Sequence, residues 1–427
     1  MIKIFLKKLL VLYSNFFYIK FEFVKSHDYL NKNQLNELKN LVGKNDLIVI
    51  REFENKFSKL VGHGRSLSFA SGRMAFYALL QSLNIKANDE VIIQAATCSV
   101  MINAILKIGA KPIYSDIDPE TFGSSVDSIV KLVNSKTKLI VAQHSFGIPC
   151  KINEISKLAK KENIFLLEDC ALTLGSKVEG VVCGNFGDAA LFSTDHSKPI
   201  NTLIGGLIYT NNNNVYKKIL EIQKTTLKFS NKKQYDLWAQ LKDEIKIFSP
   251  KKNNFYLYRK KIFDRIFKRK PFPDEDFGTN FNTSYPYPAL MPTFLAKLGI
   301  YEINLWEQNV QIRKENLKKL FKFFNSNTNE ELPSIYNDKN LDIIPHRLVW
   351  SSSNSYFLTN NIEKFININW FWFTEPLAAR NENYENYYYK VGSCINAEVT
   401  GSKIINIPCH LDSYWTNKMI KMIKSKY

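Results

Sequence analysis

The chain has 427 residues, 45% hydrophobic and 23% charged, which excludes a mainly disordered protein and supplies more core than one small domain holds. Its formal charge of +18 favours anionic partners such as phosphorylated ligands, although compositional drift toward lysine, asparagine and isoleucine accounts for the excess equally well. Six cysteines stand singly and six histidines show no H-x-x-x-H or H-E-x-x-H spacing, which argues against a disulfide framework and a metal site and for a reducing, cytoplasmic setting.

Residues 2–24 are apolar and aromatic, with lysines at 3, 7, 8 and 20. The longest clean apolar run, Leu9–Tyr13, is too short to cross a bilayer, and no small-residue cleavage site follows it. Residues 1–45 are therefore expected to form an N-terminal arm. It either packs on a partner subunit or makes a weak contact with a membrane surface, and the scarcity of lysines favours packing.

From Asp46 the pattern becomes rhythmic. Leu47–Ile50, Val91–Ile93, Pro112–Tyr114, Leu139–Ala142, Ile164–Leu167 and Ala189–Phe192 read as strands, with helical periodicity over Arg73–Leu83, Val100–Ile108, Val126–Val133 and Ile152–Lys161. This alternation predicts an α/β fold over residues 46–215, a mostly parallel sheet sandwiched by helices, with ligands collecting outside the carboxyl ends of the strands.

Three such ends carry chemistry. Ser71-Gly72-Arg73 precedes a helix and offers backbone N–H groups to a phosphate, though an ordinary cap with a turn glycine explains the tripeptide as well. Glu168-Asp169-Cys170 puts carboxylates at a strand end, where a solvated turn acid is the plain alternative. His144 ends another strand and reads equally as a satisfied loop histidine. Between the strands Asp188–Thr194 and Gly206–Thr210 lies a polar loop centred on Lys198 and closed by Gly205-Gly206. A lysine on such a loop becomes a nucleophile if its surroundings lower its affinity for a proton.

After Thr210 the rhythm stops. Residues 216–290 read as a basic, mostly helical insertion, in which Lys251–Lys270 carries nine basic residues with Phe255, Tyr258, Ile262 and Ile266 at helical spacing. No helix-turn-helix, zinc or RNP pattern accompanies it, so no nucleic-acid partner is expected. Residues 291–427 read as a smaller α+β domain. Met291–Asn325 is helical throughout, Trp370–Phe373, Gly392–Glu398 and Ile404–Pro408 fall among short strands and loops, and a last helix starts near Ser413.

Taken in order, Phe53-Glu54, Ser71-Gly-Arg-Met-Ala75, Asn88-Asp-Glu-Val-Ile92, Gly109–Asp118, His144–Gly147, Glu168–Ala171, Gly184–Ser193, Lys198 and Gly205-Gly206 resemble the motifs of the DegT/DnrJ/EryC1/StrS sugar aminotransferases. These are fold-type I enzymes dependent on pyridoxal 5'-phosphate. The resemblance implies that Lys198 binds the cofactor covalently and moves the proton as base and acid, and that Asp169 keeps the ring nitrogen protonated. It also implies that Ser71, Gly72, Arg73 and Ser193 hold the phosphate, with Cys98 and His144 completing the cofactor pocket. Cys98 stands where many members stack an aromatic ring, Leu172 replaces a glutamine, and Pro288 and Leu290 replace an asparagine and an arginine that serve the neighbouring subunit. The implied enzyme is a homodimeric aminotransferase that takes nitrogen from an amino acid, glutamate first, and gives it to a nucleotide-linked keto sugar in surface polysaccharide or glycoconjugate synthesis. The alternatives are a pyridoxal phosphate-dependent sugar dehydratase, in which histidine replaces the lysine, and a non-catalytic cofactor-binding regulator.

Overall fold

The computed structural model describes residues 20–248, 283, 285–378 and 383–425. The first apolar run after the arm, Leu47–Ile50, forms not the expected strand but the opening turn of a helix, Leu47–Val61. Asp46 decides this, because its carboxylate accepts the N–H groups of Ile48 (3.0 Å) and Val49 (3.3 Å) and caps the helix. Burial then recurs at Ile50, Phe53, Phe57 and Val61, the spacing of one helical face.

Seven strands form the central sheet: β1 (Arg65–Phe69), β2 (Glu90–Gln94), β3 (Lys111–Ser115), β4 (Thr137–Gln143), β5 (Phe165–Asp169), β6 (Ala189–Ser193) and β7 (Gly206–Thr210). Their spatial order is β1-β7-β6-β5-β4-β2-β3, and only β7 runs against the others. β1 escaped the sequence reading because three of the five residues in Arg-Ser-Leu-Ser-Phe are serine or arginine, although four of the five are buried. The helices Gly72–Ser82, Ser99–Lys107, Val126–Leu132 and Ile152–Glu162 fall within a residue or two of their expected bounds.

Beyond β7, helices Asn213–Thr225 and Asn231–Ile247 occupy the described part of the basic insertion; Lys251–Lys270 lies outside the described residues. The long helix expected from Met291 is two helices, Thr293–Asn304 and Trp306–Asn327, broken at Leu305. A second apolar cluster gathers the side chains of Trp306–Asn327, of the two-stranded sheet β8 (Arg347–Ser351) with β9 (Ile404–Pro408), and of the last helix Ser413–Lys424. Gly392–Glu398 leads into a helix, Ile395–Lys403. Phe21 and Phe23 belong to this second cluster, Phe21 against Trp415 and Phe23 against Phe371, so the described end of the arm packs on its own chain. Residues 1–19 lie outside the description, and no helix among the described residues is long and apolar enough to cross a membrane.

Candidate active site

At the carboxyl ends of the parallel strands lies a cavity of about 430 Å³, within the range of small-molecule sites. Ser71, Gly72, Arg73, Cys98, His144, Asp169, Ser193 and Lys198 all line it. These eight residues come from six segments of the chain, and the sheet order brings them together.

The loop between β6 and β7 is fixed by its own backbone. His196 N–H donates to the Leu203 carbonyl (3.0 Å), Lys198 N–H to that of Asp195 (2.9 Å), and Thr202 N–H to that of Thr194 (2.8 Å). Gly206 is required by proximity, since a Cβ there would lie 2.3 Å from the backbone nitrogen of Gly72. This close approach sets the lysine loop against the start of helix Gly72–Ser82. Lys198 Nζ sits 4.3 Å from the centre of the Trp372 indole. Burial pushes its pKa down, helped by the Arg347 charge and opposed by Asp195, Cys98 and Asp169, which favours the neutral amine.

Asp169, the last residue of β5, is buried and accepts one N–H bond, from Ala171 at 2.9 Å. Burial pushes its pKa up, against the Ala171 hydrogen bond and the charge of Lys198. Its neighbour Glu168 has a different part, as alternate residues of a strand point to opposite faces. Glu168 accepts the N–H groups of Gly184 (2.8 Å), Phe186 (2.7 Å) and Gly187 (2.8 Å), together with His144 Nε2 at 3.2 Å. His144 Nδ1 accepts the Cys150 N–H at 3.1 Å, so the ring is held neutral with its proton on Nε2, and both nitrogens face protein. His144, Glu168 and Cys170 bring ligand-type atoms within 4.8 Å of one another, but the carboxylate and the imidazole are already committed to these hydrogen bonds.

The opposite end of the cavity is a helix start. Ser71 caps Gly72–Ser82 through its hydroxyl, which accepts the Met74 N–H at 3.3 Å. A Cβ on Gly72 would lie 3.2 Å from that of Ser193, so glycine keeps this end open beside the Ser193 hydroxyl. Backbone N–H groups, the positive end of the helix and Arg73 make it suited to an anion. The donor set therefore fits a ligand with an anionic end, a carbonyl for the Lys198 amine, and a cationic N–H to satisfy Asp169. Pyridoxal phosphate has all three.

The profile of the DegT/DnrJ/EryC1/StrS aminotransferase family matches residues 30–417. The chain belongs to this family. It is 38% identical over 174 residues to a GDP-perosamine synthase of Escherichia coli O157:H7, a stretch covering 41% of this chain and 48% of that protein. The chain spans about half the length of the curated relatives it matches. Its fold matches the aminotransferase of Psychrobacter cryohalolentis with a TM-score of 0.70 at 18% identity, covering 93% of this chain and 96% of that one. It also matches a putative sugar aminotransferase of Streptococcus pneumoniae in its PLP form, with a TM-score of 0.68 at 16% identity, covering 96% and 98%. The fold is therefore that of the fold-type I aminotransferases.

In this family member the cavity has a wall that sequence reasoning did not assign. Trp370, Trp372, Phe373 and Gln240 line it, as does His196 from the lysine loop. The aromatic residues are delivered by a short parallel pairing of Leu377–Ala378 with Thr97–Cys98, reinforced by the Ser99 hydroxyl on the Ala378 carbonyl at 3.0 Å. Cys98 thus stands beside the segment that supplies the indoles. The aromatic run Trp370–Phe373 was the only available signal, and nothing local ties it to Lys198. Leu172 also lines the cavity.

Proposed function

We propose that this chain is a pyridoxal phosphate-dependent aminotransferase that moves an amino group from an amino acid, glutamate first, to a nucleotide-linked keto sugar for surface polysaccharide or glycoconjugate synthesis. The observation that carries this reading is Lys198. Its half-buried amine, biased toward the neutral form, shares a cavity with the buried carboxylate of Asp169 and the open helix start at Ser71–Arg73. When bound, pyridoxal phosphate withdraws electrons from the substrate carbon that loses its proton. Lys198 would anchor the aldehyde and afterwards carry that proton on Nζ. Asp169 would accept the ring N–H, and Ser71, Gly72, Arg73 and Ser193 would hold the phosphate. His144 would orient Glu168 and the strand end beside Asp169, and Cys98 would border the cofactor ring.

The name of the Escherichia coli relative supports a nucleotide-sugar acceptor, and Lys198 itself disfavours the dehydratase alternative, which uses histidine there. Six free cysteines, five of them buried, support a cytoplasmic setting. We take the enzyme to be a homodimer, as the family resemblance implies, and divide it into an arm (1–45), a cofactor-binding domain (46–215), an insertion (216–290) and a small domain (291–427).

The test is spectroscopic. Protein reconstituted with pyridoxal phosphate should be yellow, lose the colour when glutamate is added, and carry the borohydride-fixed label on Lys198 in peptide mapping. Colour with no response to glutamate would favour the regulator reading, and label spread over surface lysines would remove the cofactor assignment.

A further inference from the structure

Helix Asn231–Ile247 brings polar side chains to the cavity that transamination itself does not use. Gln240 lines the cavity, and its amide nitrogen donates to Glu244 Oε1 at 3.0 Å. The same oxygen receives His196 Nδ1–H at 3.1 Å. A carboxylate only accepts, so this single oxygen orients both neighbours. It turns the Gln240 NH2 group toward Glu244 and leaves the amide carbonyl available as an acceptor. It also holds the His196 proton on Nδ1 and leaves Nε2 as the nitrogen available to a ligand. Nε2 is 3.7 Å from Asp195 Oδ1, beyond direct hydrogen-bond range, and about 24% of the side chain is accessible. Burial works against a charge on His196, yet Glu244 and Asp195 overcome it and push its pKa up to about 9, so Nε2 is a donor at neutral pH.

A donor and an acceptor therefore stand together on one wall. The imidazolium is already flanked by two carboxylates, so a further anion gains little there; the helix start beside Arg73 is the anion end. Trp370, 5.3 Å from the His196 ring, and Trp372 add flat apolar surface to the same wall. A neutral group that both gives and accepts hydrogen bonds, carried on a ring with an apolar face, matches this combination. We infer that His196 and Gln240 form the subsite that reads hydroxyl groups on the acceptor's sugar ring, with Glu244 as the positioning residue and the two indoles as the platform. The inference rests on the nucleotide-sugar reading and deepens it, naming the residues that choose among sugars.

The experiment is calorimetric titration of the reconstituted full chain with GDP, UDP and dTDP and with GDP-mannose, UDP-glucose and dTDP-glucose. The quantity read is the gain in affinity on adding the sugar to its own nucleotide. In the wild type at least one pair should show a gain of about tenfold or more, the scale of hydrogen bonds to a charged or well-fixed group. Gln240→Leu and His196→Asn should each erase most of that gain while the Kd of the bare nucleotide changes less than about twofold, and Glu244→Gln should reduce it in part. Gln240 is only half-buried, so Gln240→Leu decides the matter if His196→Asn does not fold. A gain unchanged in Gln240→Leu, or no gain in the wild type, overturns the subsite while leaving nucleotide recognition standing. If no nucleotide or nucleotide sugar binds the wild type, the nucleotide-sugar reading falls and the subsite falls with it.

Discussion

Replacing Glu244 with glutamine keeps the side chain's size and removes one of the two negative charges that face His196. Glu244 Oε2 is buried without a hydrogen-bond partner among the described residues, so the new amide can place its NH2 there and keep Oε1 as acceptor for His196 and Gln240. The groups acting on the imidazole are Glu244 and Asp195, which favour its proton, and Lys198, which opposes it. A pKa held near 9 in the fold against an ordinary 6.5 corresponds to about 3 kcal/mol, which partial solvent access to the ring reduces to about 2 kcal/mol. The folded pKa is the higher one, so this stabilisation is fully present below pH 6.5 and is lost as pH rises through about 9. Urea unfolding followed by tryptophan fluorescence reads it directly, since Trp370 lies against His196. The wild type should exceed Glu244→Gln by about 2 kcal/mol more at pH near 6 than at pH near 9.5. A gap that is equal at both ends, or that widens at high pH, would refute the assigned pairing.

Three further outcomes follow from the same geometry. Glu168→Ala strands the N–H groups of buried Gly184 and half-buried Phe186 and Gly187, each worth about 1 kcal/mol, so chemical denaturation should show a loss of about 3 kcal/mol, with Glu168→Gln recovering part of it. Gly206→Ala forces a Cβ to within 2.3 Å of the Gly72 nitrogen; displacement of the helix start should weaken pyridoxal phosphate binding, measured by absorbance titration, together with a lower melting temperature. Lys198→Met should raise the urea midpoint of the cofactor-free protein at neutral pH. Burial holds the lysine's folded pKa below its ordinary value, so retaining the proton costs stability until pH rises toward 10.5, and an unchanged or lower midpoint would count against that environment.

The sheet and most of its helices were legible because parallel strands are continuous apolar runs and their helices keep one apolar face. β2 and β4 are of this kind. Leu47–Ile50 misled because four apolar residues fit a strand or a helix equally well, and only the Asp46 cap and the later period of Phe53, Phe57 and Val61 break the tie. The cofactor-side residues were legible for a different reason: all but Lys198 lie at a strand end or a helix start, and Lys198 sits on the loop between two strands, where backbone rules place ligands. The other wall was not. Gln240 and Glu244 are polar residues on an amphipathic helix, and His196 looks like any loop histidine until Glu244 is seen 48 positions away in sequence and 3.1 Å away in space. Long-range pairings such as Leu377–Ala378 with Thr97–Cys98 carry no local pattern, so what they bring to the cavity had to be found in three dimensions.

The second apolar cluster is more than a support for the first. Arg347, at the start of β8, is buried between the rings of Phe23 and Trp372 and donates through Nη1 to the Trp370 carbonyl and to Asn406 Oδ1. Its Nε and Nη2 find no hydrogen-bond partner among the described residues, and burial holds the guanidinium well below its ordinary pKa. Lys198 Nζ and the Arg347 guanidinium thus lie 4.3 and 3.9 Å from the centre of the same indole, two cations competing for one aromatic ring. A second cation against that ring is disfavoured, and Lys198 is the one of the two able to release its proton. Asp169 is displaced in the opposite sense by the same burial, toward its neutral form. Amine and carboxylate are therefore both biased away from their usual charges, and a ligand that brings complementary groups relieves that cost, so its binding should stabilise the fold beyond the contacts it makes elsewhere in the cavity.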